Sequence, residues 1–175
     1  MYSSEEIVLV RKGLPKSAPR SGVPYMPGYD MMFAKGRRSL PWTWAAERLS
    51  KAQNYFLVTV RPDGRPHAMP VWGLWLEDAF YFSTGRRSRK SRNLAANPNC
   101  VVCPESASEA VILEGNALEV AGSSLPRKFN SAYEKKYNWK IEGNEGPFYE
   151  VQPQVVFGFD ENAGSNPTRW IFRTP

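Results

Sequence analysis

A chain of 175 residues suits one domain, and 42% hydrophobic with 13% aromatic residues supply a sizeable core, which argues against disorder. No apolar run approaches the roughly 20 residues of a membrane-spanning helix, so no membrane partner is expected. Twenty-three Lys and Arg against 17 Asp and Glu leave a formal charge of +6, which fits an anionic ligand, nucleic acid or an acidic surface without choosing among them.

Residues 1–40 read as an N-terminal arm, because Pro15, Pro19, Pro24 and Pro27 break any long helix. No basic region precedes the short apolar stretch Ile7 to Val10, so no secretory signal is read and a cytoplasmic location is expected. Tyr25, Met26, Tyr29, Met31, Met32 and Phe33 are too apolar for a floating tail, and the arm is expected to lie across the body or a partner subunit. Residues 41–175 form the main domain. A helix over about 41–53 is predicted by Ser39 before Pro41 and by Trp42, Ala45, Ala46, Leu49 and Ala52 at helical spacing.

From Tyr55 the period changes to that of a strand, Tyr55 to Val60, ending at a type I turn, Arg61-Pro62-Asp63-Gly64. A returning strand from His67 to Leu76 turns at Glu77-Asp78 into Ala79 to Ser83, which predicts a three-stranded meander. Next comes Ser83-Thr84-Gly85-Arg86-Arg87-Ser88-Arg89-Lys90-Ser91-Arg92-Asn93, hydroxyls and cations at a turn leading into a helix that closes at Asn97-Pro98. Ser88 is a good N-cap there. The free N–H groups of the first turn, with Arg and Lys beside them, suit a phosphate. The competing reading is a solvated basic helix face.

Strands follow at about Cys100 to Pro104 and Ala110 to Val120, with Gly115 marking a bulge or a close approach. Cys100 and Cys103 read as two small core residues on opposite faces of a strand; a single histidine in the chain argues against a metal site, and a redox pair is the minor alternative. A helix is predicted from near Ser124, with Pro126 in its first turn, to Asn138. Strands at about Gln154 to Phe159 and Thr168 to Phe172 close the chain. Six to seven short, largely antiparallel strands with helices at the connections predict a mainly β fold, a small barrel, with a two-sheet sandwich as the alternative.

The ordered series Val58-Thr59-Val60-Arg61-Pro62-Asp63-Gly64-Arg65-Pro66-His67-Ala68-Met69-Pro70-Val71-Trp72, then Phe80 to Thr84, then Ser88 to Pro98, resembles the pyridoxamine 5′-phosphate oxidase-like family of flavin-binding split barrels. The resemblance covers about residues 41–173, most strongly 54–98, and includes the later strand Val111 to Ala117. It implies a split barrel, a homodimer with the cofactor at the subunit interface, and either FMN or the 8-hydroxy-5-deazaflavin coenzyme (coenzyme F-420) as cofactor. It also implies that Ser83, Thr84, Ser88, Arg89 and Lys90 hold the cofactor phosphate, with Arg86, Arg87 and Asn93 as weaker candidates. His67, Met69, Pro70, Val71 and Trp72 match the strand beside the ring, though alternation lets only part of that set face a ligand. The oxidase proper has an Arg-rich strand where this chain reads His67-Ala68-Met69-Pro70-Val71-Trp72, so the vitamin substrate is not expected.

A flavin- or deazaflavin-dependent oxidoreductase is therefore the leading expectation, with hydride chemistry carried by the ring. A non-catalytic flavin-binding or sequestering protein is the alternative, and nucleic-acid binding comes last, since no recognised motif accompanies the basic segment. The surplus cations Arg86, Arg87 and Arg92 lean slightly towards the longer deazaflavin anion. No general acid is named: His67 beside a turn, and Tyr81, Tyr133 and Tyr137 at regular spacing, read first as structural residues. Six tryptophans, Trp42, Trp44, Trp72, Trp75, Trp139 and Trp170, exceed what one small core accommodates, which adds to the expectation of a dimer.

Overall fold

The structure, a computed structural model, describes residues 18–28, 39–142, 146–161 and 166–172. Strand β1 is a short piece of the arm, Arg20–Gly22. Helix α1 spans Trp42–Lys51 and buries Ala45 and Leu49, one turn apart, while Arg48 and Lys51 sit in its last turn, where the dipole favours cations. Strand β2, Tyr55–Val60, alternates buried and more exposed residues. It is joined to β3, Pro66–Val71, through the predicted turn. Gly64 has φ of +83° and donates its N–H to the Arg61 carbonyl at 2.8 Å, while the Arg61 N–H donates to the Arg65 carbonyl at 2.9 Å. This is a type I turn closed by a glycine bulge, and the positive φ explains the glycine.

That hairpin end fixes the ladder. With Arg61 bonded to Arg65, the pairs Thr59/His67, Leu57/Met69 and Tyr55/Val71 exchange hydrogen bonds, while Val60/Pro66, Val58/Ala68 and Phe56/Pro70 do not. Pro66 and Pro70 thus occupy positions whose N–H would point away from β2, and the ladder loses nothing to them. On the edge of β3 turned away from β2, Ala68 carries the one amide donor between Pro66 and Val71.

The single returning strand expected over His67 to Leu76 is corrected to two. β3 stays with β2, and after Trp72 the chain bends into β4, Gly73–Leu76, which pairs with β5, Ala79–Ser83. A Cβ at Gly73 would overlap the Phe80 ring, so the bend needs glycine. Glu77 and Asp78, with φ of +49° and +59°, make the tight turn between β4 and β5. Helix α2, Arg89–Ala96, follows as predicted, and then β6, Asn99–Pro104, and β7, Ala110–Val120. Cys100 is buried and Cys103 half-buried, on opposite faces of β6 as expected; burial pushes the Cys100 thiol up to about 12.

Helix α3 covers Phe129–Tyr137 and starts later than expected. Gly122–Ser124 form a short 3₁₀ turn, and Pro126 lies in a second turn, where its carbonyl accepts the Phe129 N–H at 2.8 Å. Strand β8, Phe148–Phe159, is longer than the predicted Gln154 to Phe159. Pro153 falls opposite Gly115 at a register shift in the β7/β8 ladder, where its missing N–H costs no regular bond. Strand β9, Thr168–Ile171, pairs with β8 and with β1, so this part of the arm is an edge strand of the body. Tyr29, Met31, Met32 and Phe33 lie outside the described residues.

The pairings close a ring: β2 to β3, through the bend to β4, then β5, β8, β7, β6 and back to β2. Closure excludes the sandwich and defines a split barrel. Leu57, Phe80, Phe82, Val102, Leu113 and Val151 fill it, and a second cluster under α3 joins Leu74, Tyr81, Phe129 and Tyr137. Trp42, Trp75 and Trp170 pack edge-on into the core, with centroids 5.9 and 5.6 Å from Trp42, whereas Trp72 and Trp139 are about half exposed. On the outer face of β6, β2 and β3, the pairs Phe56/Pro70 and Val58/Ala68 lie beside Cys103 and Val101 and leave an apolar sheet surface.

Candidate functional site

The turn from β5 into α2 is ordered by its own hydroxyls. Ser88 has extended backbone geometry, and its Oγ accepts the Ser91 N–H at 3.2 Å, the predicted N-cap. Thr84 is buried, with its Oγ1 3.2 Å from the Ser88 Oγ, and the Ser83 hydroxyl donates to the Pro147 carbonyl at 3.2 Å. Asn93 is fully buried and donates its amide to the Thr59 Oγ1 at 2.9 Å, which fixes α2 across β2. Asn93 therefore serves the packing of α2 rather than the turn itself.

A cleft of about 380 Å³ lies where the β3–β4 bend faces this turn. Pro70, Val71 and Trp72 form one side, and Ser83, Thr84 and Lys90 the other; Asn54 and Tyr133 complete it. The structure thus brings together six of the eleven residues singled out from sequence. Ser88 stands behind Thr84, Arg89 is exposed on α2, and Met69 lies on β3 opposite Leu57. Desolvation holds the Lys90 ammonium below its ordinary pKa.

Trp72 stacks on Tyr137, with centroids 4.8 Å apart and planes 10° from parallel. The Tyr137 hydroxyl donates to the Gly73 carbonyl at 2.8 Å and accepts the Gly73 N–H at 2.9 Å. Lys136 adds bonds from its Nζ to the Tyr55 hydroxyl at 2.9 Å and the Gly73 carbonyl at 3.0 Å; burial pushes its pKa down to about 8. Nothing in the sequence marks Lys136, because its partners come from β2 and β4. Tyr133 reads as a packing residue, and it does pack on Phe129 and Tyr137, yet it also lines the cleft.

The cations divide into two groups. Arg86 makes a two-pronged pair with Glu119 at 2.7 and 3.3 Å, so the reading of Arg86 as a surplus charge is corrected: it is neutralised from β7. Among the described residues, Arg61, Arg89 and Lys90 form no ion pair with an acid. Burial, and then the charges of Arg61, Lys90 and Arg89, hold the His67 imidazole below its ordinary pKa, and its Nδ1 is shielded without a hydrogen-bond partner.

A closed ring of strands with hydroxyls and unpaired cations at its open side defines the class, a split-barrel protein with a candidate anion site. The family model described as pyridoxamine 5′-phosphate oxidase matches residues 44–158, and the chain belongs to that family. No curated protein matches the sequence. Among solved structures, General Stress Protein 26 from Bacillus anthracis is 22% identical, with a TM-score of 0.56 over 66% of this chain and 91% of its own. A structure titled F420 reductase is 20% identical, with a TM-score of 0.51 over 63% of this chain and 93% of its own. HutZ, titled a heme storage protein from Vibrio cholerae, is 19% identical, with a TM-score of 0.55 over 64% of this chain and 89% of its own. These likenesses show the fold.

Proposed function

We propose that the protein is a flavin- or deazaflavin-dependent oxidoreductase that binds its cofactor in the cleft between the β3–β4 bend and the β5–α2 turn. The observation that carries this reading is the cleft itself, which opposes an apolar wall to the buried Thr84, the half-buried Ser83 and a partly desolvated Lys90 with no acid paired to it. Its volume is within the range of small-molecule sites. The donor set fits a cofactor phosphate: Thr84 and Ser88 offer hydroxyls, Arg89 forked donors and Lys90 a point charge. Pro70, Val71 and Trp72 offer an apolar surface to a ring, and the Tyr137 stack keeps Trp72 in place. Such a ring, when bound, supplies the hydride chemistry. Among the described residues no carboxylate or imidazole lines the cleft, so the chain's part is binding, orientation and exclusion of water. The same lining serves binding without turnover, which is the second reading.

Titration of the folded protein with FMN, the deazaflavin coenzyme and haemin tests the proposal. One flavin or deazaflavin per subunit at micromolar concentration is expected. Binding of neither overturns the reading, and a haem absorption band alone would move the protein towards the haem binders. Turnover of the reduced cofactor with an electron acceptor separates enzyme from sequestering protein.

The outer face of β6, β2 and β3, with Phe56 47% exposed, supports assembly as a homodimer that completes the cleft. Light scattering is expected to give twice the 19.8 kDa chain mass. A monomer that still binds cofactor tightly would refute the shared cleft and leave the phosphate site standing.

A further inference from the structure

We propose that Lys136, standing behind the apolar wall of the cleft, is the cation that favours the reduced form of the cofactor ring and takes up a proton as that form accumulates. This rests on the cofactor reading above and extends it from where the ring binds to what sets its redox balance.

The wall of the cleft, Pro70, Val71 and Trp72, carries no charge of its own, and Lys90 stands on the opposite side. Lys136 lies one layer further in. Its Nζ donates to the Gly73 carbonyl at 3.0 Å and the Tyr55 hydroxyl at 2.9 Å, and it sits 4.7 Å from the Tyr55 ring centroid and 5.3 Å from that of Tyr137. These partners adjoin the cleft: Gly73 follows Trp72 in the chain, Tyr55 follows Asn54, and Tyr133 lies one turn before Tyr137. Trp72 also stacks on Tyr137, so the ammonium and the wall share one aromatic layer. Among the described residues Lys136 forms no ion pair with an acid.

A hydride moves with its electron pair, so a ring that accepts one from a hydride donor becomes more negative by one unit until a proton joins it. A cation held in a desolvated layer favours that charge. The same charge acts back on Lys136. Burial pushes its pKa down to about 8, and Glu105, in the loop after β6, pulls it up. Glu105 is itself held by the backbone N–H groups of Gln53 and Asn54. The phenols beside the amine are raised by burial, Tyr55 on β2 furthest and Tyr137 to about 12, with Tyr133 adding to the latter. On its own helix Glu134 is paired with Lys140 at 3.7 Å. A negative ring raises the Lys136 pKa, so the reduced state holds a proton that the oxidised state has released. The preference for reduced cofactor is therefore full below about pH 8 and falls as pH rises through the raised value.

The experiment measures, without oxygen and from about pH 7 to about pH 10, the affinities of the oxidised and the chemically reduced forms of FMN and of the deazaflavin coenzyme. Wild type, Lys136→Met, Lys136→Arg and Lys140→Gln are compared. Lys136→Met leaves the Gly73 carbonyl to the Tyr137 hydroxyl and the Tyr55 hydroxyl to the Leu49 carbonyl, so it is expected to fold. Near neutral pH its preference for the reduced form should be at least about fivefold smaller than that of wild type, equivalent to about 20 mV in a two-electron potential. The wild-type preference should decline towards that of Lys136→Met as pH rises. Lys136→Arg, charged throughout, should keep most of the preference with no such decline, and Lys140→Gln should follow wild type. Equal preferences in wild type and Lys136→Met, or a decline that persists in Lys136→Arg, overturn the role of Lys136 while the cofactor reading stands. If Lys136→Met does not fold, the pH profiles of wild type and Lys136→Arg decide the question. Binding of neither oxidised cofactor overturns both.

Discussion

Replacing Arg89 and Lys90 together by Ala is expected to weaken cofactor binding at least tenfold while the protein stays folded. Each charge-assisted hydrogen bond contributes roughly 1.5–3 kcal/mol, and about 1.4 kcal/mol is tenfold in affinity. Among the described residues neither side chain is ion-paired with an acid, so the folded state loses no ion pair. Lys90 is partly desolvated and stands near other cations, so its removal relieves repulsion and lets the His67 pKa return towards its ordinary value. Calorimetric titration reads the affinity, and circular dichroism the fold. Unchanged affinity in a folded double variant would make the segment a solvated helix face.

The largest stability effect is expected at Gly115. A Cβ there would overlap the Gln152 carbonyl oxygen and crowd the Val151 side chain, and a backbone atom in a ladder cannot swing aside. Overpacking of this kind costs about 3 kcal/mol. For a chain of this size that lowers the thermal midpoint by roughly 6–12 °C. Gly122→Ala is the control, because a Cβ there meets nothing within 4 Å. A Gly115→Ala midpoint equal to that of the control would mean that β7 and β8 do not approach as described.

What the sequence reveals here is what neighbouring residues decide. Ser88 as a cap, Gly64 in its turn and Gly115 at a bulge each depend on backbone geometry within a few positions, and each is legible. The bend after Trp72 is not, because the alternation runs through it and its causes are Phe80 on β5 and Tyr137 on α3. The part of β8 ahead of Gln154 is not legible for the same reason: the tolerance of Pro153 within the strand depends on Gly115 across the ladder. In the site, the hydroxyls and cations of Ser83 to Lys90 are visible as a cluster. The neutralising of Arg86 by Glu119, the burial of Asn93 against Thr59, and the placing of Lys136 under Gly73 are long-range events that local spacing does not encode.

The two prolines of β3 bear on how the barrel tolerates being split. An open strand edge invites a strand from another molecule to zip onto it, the first step of amyloid-like growth. With Pro66 and Pro70 in the outward positions, such an intruder would find a single amide donor, that of Ala68, and each flanking rung would lose one of its two hydrogen bonds. The slit can therefore stand open to admit a small molecule without becoming a template for polymerisation.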